Sequence, residues 1–248
     1  MTYNLIGDIH GRNAWRQLVR TDMINIFLGD YLDPYDRDDL QASPVEYDNL
    51  QDIIRFKQQH PETILLLGNH DLHYLWDEHY SRYNDEHAER YAQLIREHLH
   101  LFQAAYAIGD RVLVTHAGVT RPWLQLAGIS EQQSVSQLAE AICQCMSDEE
   151  SRHLFSVEST FNPDDSCGMS PTASPIWVRP HTLLDYGALT NHHGDTIYQV
   201  VGHTQIGQIM QFDSCVFVDC LGTVPQSLRI TFNAAGEPIF TPLPAKIQ

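Results

Sequence analysis

Five short clusters of glycine, carboxylate, amide and imidazole recur along the 248 residues: Gly7-Asp8-Ile9-His10-Gly11, Gly29-Asp30-Tyr31-Leu32-Asp33, Gly68-Asn69-His70-Asp71, His116-Ala117-Gly118 and Gly202-His203-Thr204. Asp8 and His10 are two apart, so in an extended segment both project to one side and can chelate one ion. Asp30 adds a second carboxylate, Asn69 a neutral oxygen, and His116 and His203 imidazoles from distant parts of the chain. A mixed set of this kind suits Mn, Fe or Zn better than an all-oxygen calcium cage or a thiolate zinc site. Singly, an Asp-x-His or a Gly-His-Thr more often marks a turn carboxylate or a hydrogen-bonded histidine. Five such clusters in order point to a metal site.

Each cluster sits at or just past the end of a β-rich run: residues 4–6, 24–28, 63–67, 112–115 and 198–201. Strand ends in open α/β sheets are where ligand crevices form, and the adjoining glycines let backbone approach an ion closely. The spacing of Val45, Asn49, Leu50, Ile53, Ile54 and Lys57 predicts a helix with one shared face after Ser43-Pro44. Residues 85–100 and 130–146 also read as helices, whereas 215–218 and 228–232 read as strands before a turn at Ala234-Ala235-Gly236. Strand and helix alternate through the first two-thirds and strands dominate the end. The pattern predicts layered α/β architecture, two packed sheets flanked by helices. One domain spanning 1–248 is expected, with the irregular segment 161–180, rich in Pro, Ser, Asp and Gly, covering the site.

Thirty-two acids against fifteen bases give a net charge of −17. That excludes a general binder of nucleic acid or anionic membrane, but not a small phosphorylated substrate, because bound metal ions reverse the sign locally. Only Lys57 and Lys246 among the bases are lysines. No apolar run approaches the roughly 20 residues of a membrane helix, and the start shows no basic segment followed by a long apolar one, so a cytoplasmic protein is expected. The cysteines, Cys143, Cys145, Cys167, Cys215 and Cys220, are scattered without zinc-ribbon spacing and read as reduced thiols. His73, His79, His87, His98, His100 and the His192-His193 pair fall outside the clusters and read as exposed or hydrogen-bonded side chains.

In order and spacing the clusters resemble the calcineurin-like metallophosphoesterases, particularly their phosphoprotein-phosphatase branch: GDIHG at 7–11, GDYLDP at 29–34, GNHD at 68–71, HAG at 116–118 and GHT at 202–204. The resemblance implies a four-layer αββα sandwich and two divalent ions, Mn first, with Fe or Zn as alternatives. It implies that Asp8, His10 and Asp30 hold the first ion, that Asp30 bridges to the second, and that Asn69, His116 and His203 complete it. Hydrolysis would proceed by attack of a metal-bridging hydroxide on phosphorus. His70 resembles the family's general acid for the leaving alkoxide, and Asp33 the aspartate that orients it.

Two departures concern the phosphate clamp. The family arginine that follows the second aspartate is Pro34 here, and Arg37, three residues on, is one candidate replacement although it lies among Asp36, Asp38 and Asp39. Arg179, in Trp177-Val178-Arg179-Pro180, resembles an arginine that grips substrate phosphate in bacterial members. These readings lead to hydrolysis of phosphate monoesters, in phosphoproteins or small molecules. A symmetrical bis(5′-nucleosyl)-tetraphosphatase is the alternative, since 68–75 and 116–120 also resemble that group, although its pattern lacks the Asp33 equivalent and keeps the nearby arginine. A non-catalytic metal-stabilised scaffold is the remote third reading, disfavoured because every ligand position and the acid are present.

Overall fold

The computed structural model describes residues 1–35, 45–156 and 168–246. Two mixed sheets pack face to face with helices outside them. The first sheet is built on β1 (Tyr3–Ile6), β2 (Ile24–Phe27) and β3 (Ile64–Leu66), and the chain between them forms α1 (Trp15–Leu18) and α2 (Val45–Gln59). After β3 come α3 (Asn69–Trp76), α4 (Ala88–Glu97), β4 (Phe102–Gln103), β5 (Ala105–Ile108) and β6 (Val112–Thr115). Then follow α5 (Arg121–Leu126), α6 (Val135–Ser147), α7 (Pro180–Tyr186), β7 (Leu189–Thr190), β8 (Thr196–Val201), β9 (Met210–Phe212), β10 (Cys215–Phe217), β11 (Gln226–Phe232) and β12 (Pro238–Pro244). The order in the first sheet is β12-β11-β1-β2-β3-β4 and in the second β5-β6-β8-β10-β9, with β7 paired to β8.

The layering follows from the two-residue period of a strand. Leu5, Ile26, Leu66, Val112, Val114, Val200 and Val216 interdigitate between the sheets in one buried cluster. Their neighbours Ile6, Phe27, Leu65 and Leu113 turn outward into a second cluster with Trp15, Leu50, Ile53, Leu138 and Ile142 from the helices. Val201 and Phe217 meet α7 through Leu183 in a third. Strands covered on both faces read as continuous apolar runs rather than alternating ones, which is why residues 64–67 carry four aliphatics in a row.

β1, β2 and β3 run parallel, as do β6, β8 and β10. The carboxyl ends of each parallel set therefore lie on one edge of its sheet. β11 returns antiparallel beside β1, and β12 closes the edge through Pro238, Pro242 and Pro244, which have no N–H to offer another strand.

The helices expected at 45, 85–100 and 130–146 form as α2, α4 and α6. α6 starts at Val135 rather than Ser130 because Ser134 caps it, accepting from Gln137 N. Val45 opens α2 but stands 52% exposed, and Glu46 takes the buried place beside it, its carboxylate accepting from the Tyr91 hydroxyl. None of the helices among the described residues is long and apolar enough to cross a membrane.

Candidate metal centre

Four of the clusters occupy the turn that leaves a parallel strand and the fifth, Gly68 to Asp71, opens α3 directly after β3, and the packing of the sheets brings all five together. Asp8, Asp30, Asn69 and His116 are at most 1% exposed, and His10 and His203 are only 2% and 7% exposed. Asp30 Oδ2 lies 3.6 Å from His10 Nε2 and 3.3 Å from His116 Nε2. Asn69 Oδ1 lies 3.1 Å from His116 Nε2 and 3.0 Å from His203 Nδ1. Two groups result, Asp8-His10-Asp30 and Asp30-His116-His203, each with its donor atoms within 4.8 Å of one another and with Asp30 common to both.

The backbone that presents these side chains is unusual. His10, Asp30, Asp33 and His203 have φ of 45°, 50°, 56° and 65°, the left-handed region that non-glycine residues seldom enter and that clusters at functional sites. The surrounding hydrogen bonds over-determine it. Asp71 accepts from the backbone of Asp30, Tyr31 and Gly68 at 2.8, 2.9 and 2.9 Å. His70 N donates to Asp30 Oδ1 at 2.9 Å and His203 N to Asp8 Oδ2 at 2.9 Å. Two glycines are required by proximity: a Cβ on Gly68 would meet Asp30 Oδ1 at 2.1 Å, and one on Gly202 would meet Asp8 Oδ1 at 2.2 Å.

The electrostatics call for positive charge. His10 Nδ1 donates to Leu32 O at 2.9 Å and His116 Nδ1 to Leu28 O at 2.8 Å, so in both rings the other nitrogen turns its lone pair toward Asp30. Among the described residues, His116 Nε2 then faces two acceptors, Asp30 Oδ2 and Asn69 Oδ1. Burial opposes charging His116, but Asp30 and Asp8 overcome it and pull its pKa up to about 10. Burial, and then the neighbouring Asp219, push Asp8 well above the usual carboxylate range. Among the described residues, the buried His203 Nε2 and Asn69 Nδ2 find no hydrogen-bond partner. Converging lone pairs, crowded carboxylates and the orphaned His203 Nε2, whose lone pair is free because Nδ1 donates to Asn69 Oδ1, fit divalent cations of the class that takes mixed nitrogen and oxygen ligands.

Beside this cluster His70 Nδ1 and Asp33 Oδ2 are 2.8 Å apart. Asp33 is also approached by His73 Nε2 at 2.8 Å and by the Tyr74 hydroxyl at 2.5 Å. Burial raises Asp33, but the bonds from His70 and His73 outweigh it and the carboxyl stays below its ordinary range. Burial disfavours the His70 cation, yet Asp30 and the Asp33 bond carry its pKa above the usual value.

Arg179 caps the start of α7, with Nη1 3.3 Å from Thr204 Oγ1, next to His203. Trp177 packs edge-on against the His203 ring with centroids 5.5 Å apart. Arg37 and residues 161–167 lie outside the described residues.

Several contributors have no motif of their own. Asp219, after β10, shares a hydrogen bond with Asp8, and burial followed by Asp30 holds it up to about 6. Tyr35 stacks edge-on against His10 with centroids 4.7 Å apart, and the guanidinium of Arg82 lies 3.4 Å from the Tyr35 ring centre, that of Arg12 5.4 Å. Of the two alternatives read for His73, exposed or hydrogen-bonded, the structure excludes the first: the ring is 1% exposed and lies against Asp33. The i, i+3 spacing of His73 from His70 on a helix was the available signal. Arg82 and Tyr35 offered none.

A two-sheet α/β sandwich whose strand-end turns gather carboxylates, an amide and imidazoles around one shared aspartate defines a metallohydrolase architecture. The sequence model of the calcineurin-like phosphoesterases matches residues 1–206, and the chain belongs to that family. It is accordingly a metal-dependent phosphoesterase, a hydrolase acting on phosphorylated substrates. No curated protein matches the chain. The fold is similar to that of a protein serine/threonine phosphatase from Saccharomyces cerevisiae with similarity to human phosphatase PP5, at a TM-score of 0.52 and 16% identity over 100% of this chain and 81% of that one.

Proposed function

We propose that the chain hydrolyses phosphate monoesters, as serine/threonine phosphatases do, with two divalent ions for which Mn²⁺ is the first candidate. Asp8, His10 and Asp30 would hold one ion, and Asp30, Asn69, His116 and His203 the other. When bound, such a pair supplies Lewis acidity toward the phosphoryl oxygens and an acidified water. The chain's own residues do the rest. Asp33 accepts from His70 Nδ1–H and stabilises the imidazolium, so that His70 Nε2–H is the proton given to a departing alkoxide. Tyr74 and His73 hold the Asp33 carboxylate in place. Arg179 beside Thr204, and Arg12 and Arg82 around Tyr35, put positive charge near the site of a chain that carries −17 overall, where planar donors can grip phosphate oxygens.

The observation that carries this reading is the 2.8 Å contact of His70 with Asp33 beside the metal-ligand cluster. An acid of this kind matters most when the leaving group is a poor one, as an alkoxide is. The test is Mn²⁺-dependent phosphate release from p-nitrophenyl phosphate and from a phosphoserine peptide, with diadenosine tetraphosphate in parallel and a chelator blank. Turnover of the monoesters is the expected result. Selective cleavage of the dinucleotide to two diphosphates would reassign the chain to the tetraphosphatases, and silence on all three would favour the scaffold.

A further inference from the structure

The strands that end in His116 and His203 begin, at the opposite edge of the second sheet, in another group of potential ligands. Asp110 lies in the turn joining β5 to β6, and His192 and His193 in the turn joining β7 to β8. β6 and β8 are parallel neighbours, so the two turns sit side by side. Six residues of extended chain separate Asp110 from His116, about 20 Å at the rise of a strand. We propose that Asp110, His192 and His193 form a peripheral site for a single divalent transition-metal ion of the zinc class.

The three side chains offer a carboxylate oxygen and two ring nitrogens that all lie within 4.8 Å of one another. His192 Nδ1 is 3.7 Å from Asp110 Oδ2, and the two adjacent imidazoles are drawn together with centroids 3.7 Å apart. Two imidazoles and a carboxylate are a frequent zinc donor set, with remaining positions left to water. The histidines are exposed and Asp110 half-buried, so an ion has free access.

The turn that carries them is built rather than loose. Asn191 is 4% exposed, and its Oδ1 accepts from His193 N and Asp195 N, both at 2.9 Å. Its Nδ2 donates to Asp110 O and Asp110 Oδ2, both at 3.0 Å. One buried amide thus fixes the histidine turn and ties it to the carboxylate of the neighbouring turn. Asp110 Oδ1 also accepts from Val135 N at 3.0 Å, at the start of α6. An ion here would join two hairpin turns and a helix N-terminus, and would add to native-state stability by mass action. Imidazole nitrogen selects Zn²⁺, Ni²⁺ or Cu²⁺ over Mn²⁺, so the site would respond to metals other than the one first expected at the centre.

The test uses the full chain, stripped by chelator, loaded with Mn²⁺ and then titrated with Zn²⁺, while the imidazole resonances are followed by NMR and bound ions are counted after buffer exchange. Wild type should retain one more Zn²⁺ per chain than the His192→Ala/His193→Ala variant, and the resonances that vanish in that variant should be among those that shift. Asp110→Asn keeps an oxygen for Val135 N and should bind the extra ion about tenfold more weakly or worse. The double variant should melt like wild type in chelator, Asp110→Asn should melt lower because its amide N–H₂ faces the Asn191 donor, and all three proteins should turn over substrate alike with Mn²⁺. Equal zinc counts in wild type and the double variant, or no shift of the His192 and His193 resonances, would overturn the proposal.

Discussion

His70 Nδ1 rests 2.8 Å from Asp33 Oδ2, and Asp33 in turn holds His73 Nε2 at the same distance and the Tyr74 hydroxyl at 2.5 Å. Three residues of one helix thus converge on a single carboxylate contributed by the turn after β2. Asp33→Asn should lower kcat on an alkyl phosphate by about 100- to 10,000-fold, the range for a lost general acid. The loss on p-nitrophenyl phosphate, whose leaving group needs little protonation, should be far smaller. Equal losses on both substrates would assign Asp33 a purely architectural part.

The stability of the stripped protein should depend on pH in a defined direction. His116 is pulled up to about 10 and His70 is also raised, so between about pH 6.5 and 8 the folded chain binds more protons than the unfolded one. Stability then falls as pH rises through that window. His10 and His203, whose pKa values are lowered, work the other way at the bottom of this window, where unfolded imidazoles still hold protons, but Asp8 and Asp71, both raised and Asp71 to about 7, offset them there. Divalent ions compete with the protons on His116. Thermal melts with chelator and with Mn²⁺ should therefore diverge as pH climbs from 6.5 to 8, and an increment that stays flat or shrinks contradicts the ligand assignment.

Gly202→Ala should abolish metal-induced stabilisation, because the new methyl would lie 2.2 Å from Asp8 Oδ1. Gly207→Ala, five residues on, meets nothing within 4 Å and should be nearly neutral. Differential scanning of the pair with and without Mn²⁺ separates crowding at the site from a general cost of losing a glycine.

Arg82→Ala removes a guanidinium that touches the Tyr35 ring from an exposed position. If it serves as a phosphate clamp in place of the arginine lost at Pro34, kcat/KM on phosphomonoesters should drop about tenfold or more, mostly through KM, with the melting temperature unchanged. A variant with wild-type KM would return that role to Arg179 or Arg37.

Much of the site could be read in the residues, because metal chemistry restricts ligands to a few side chains and places them at strand ends. The six predicted ligand positions converge in space, and the strands at residues 4–6, 24–28 and 198–201 appear where apolar runs end in glycine. What escaped was set by tertiary packing. Asp219 matters because β10 lies beside β8, a neighbour relation no local pattern encodes. Tyr35 and Arg82 meet from segments 47 positions apart, and Val45 obeyed the helical period yet stayed outside the core. The short strands β4, β7 and β9 carry two or three residues each, too few to show a period.

The left-handed turns at His10, Asp30, Asp33 and His203 also constrain how this site can change over evolutionary time. Only glycine, asparagine, aspartate and, less readily, histidine enter that region at modest cost. A codon change at these four positions is therefore filtered twice, by chemistry and by backbone geometry, and most replacements fail the second filter before a metal is involved. Swaps among aspartate, asparagine and histidine are the accessible neighbours. The accessible evolutionary path for this scaffold is thus a change of metal preference or of protonation at a fixed backbone, with substrate range left to drift in Arg82, Arg179 and the loops around them.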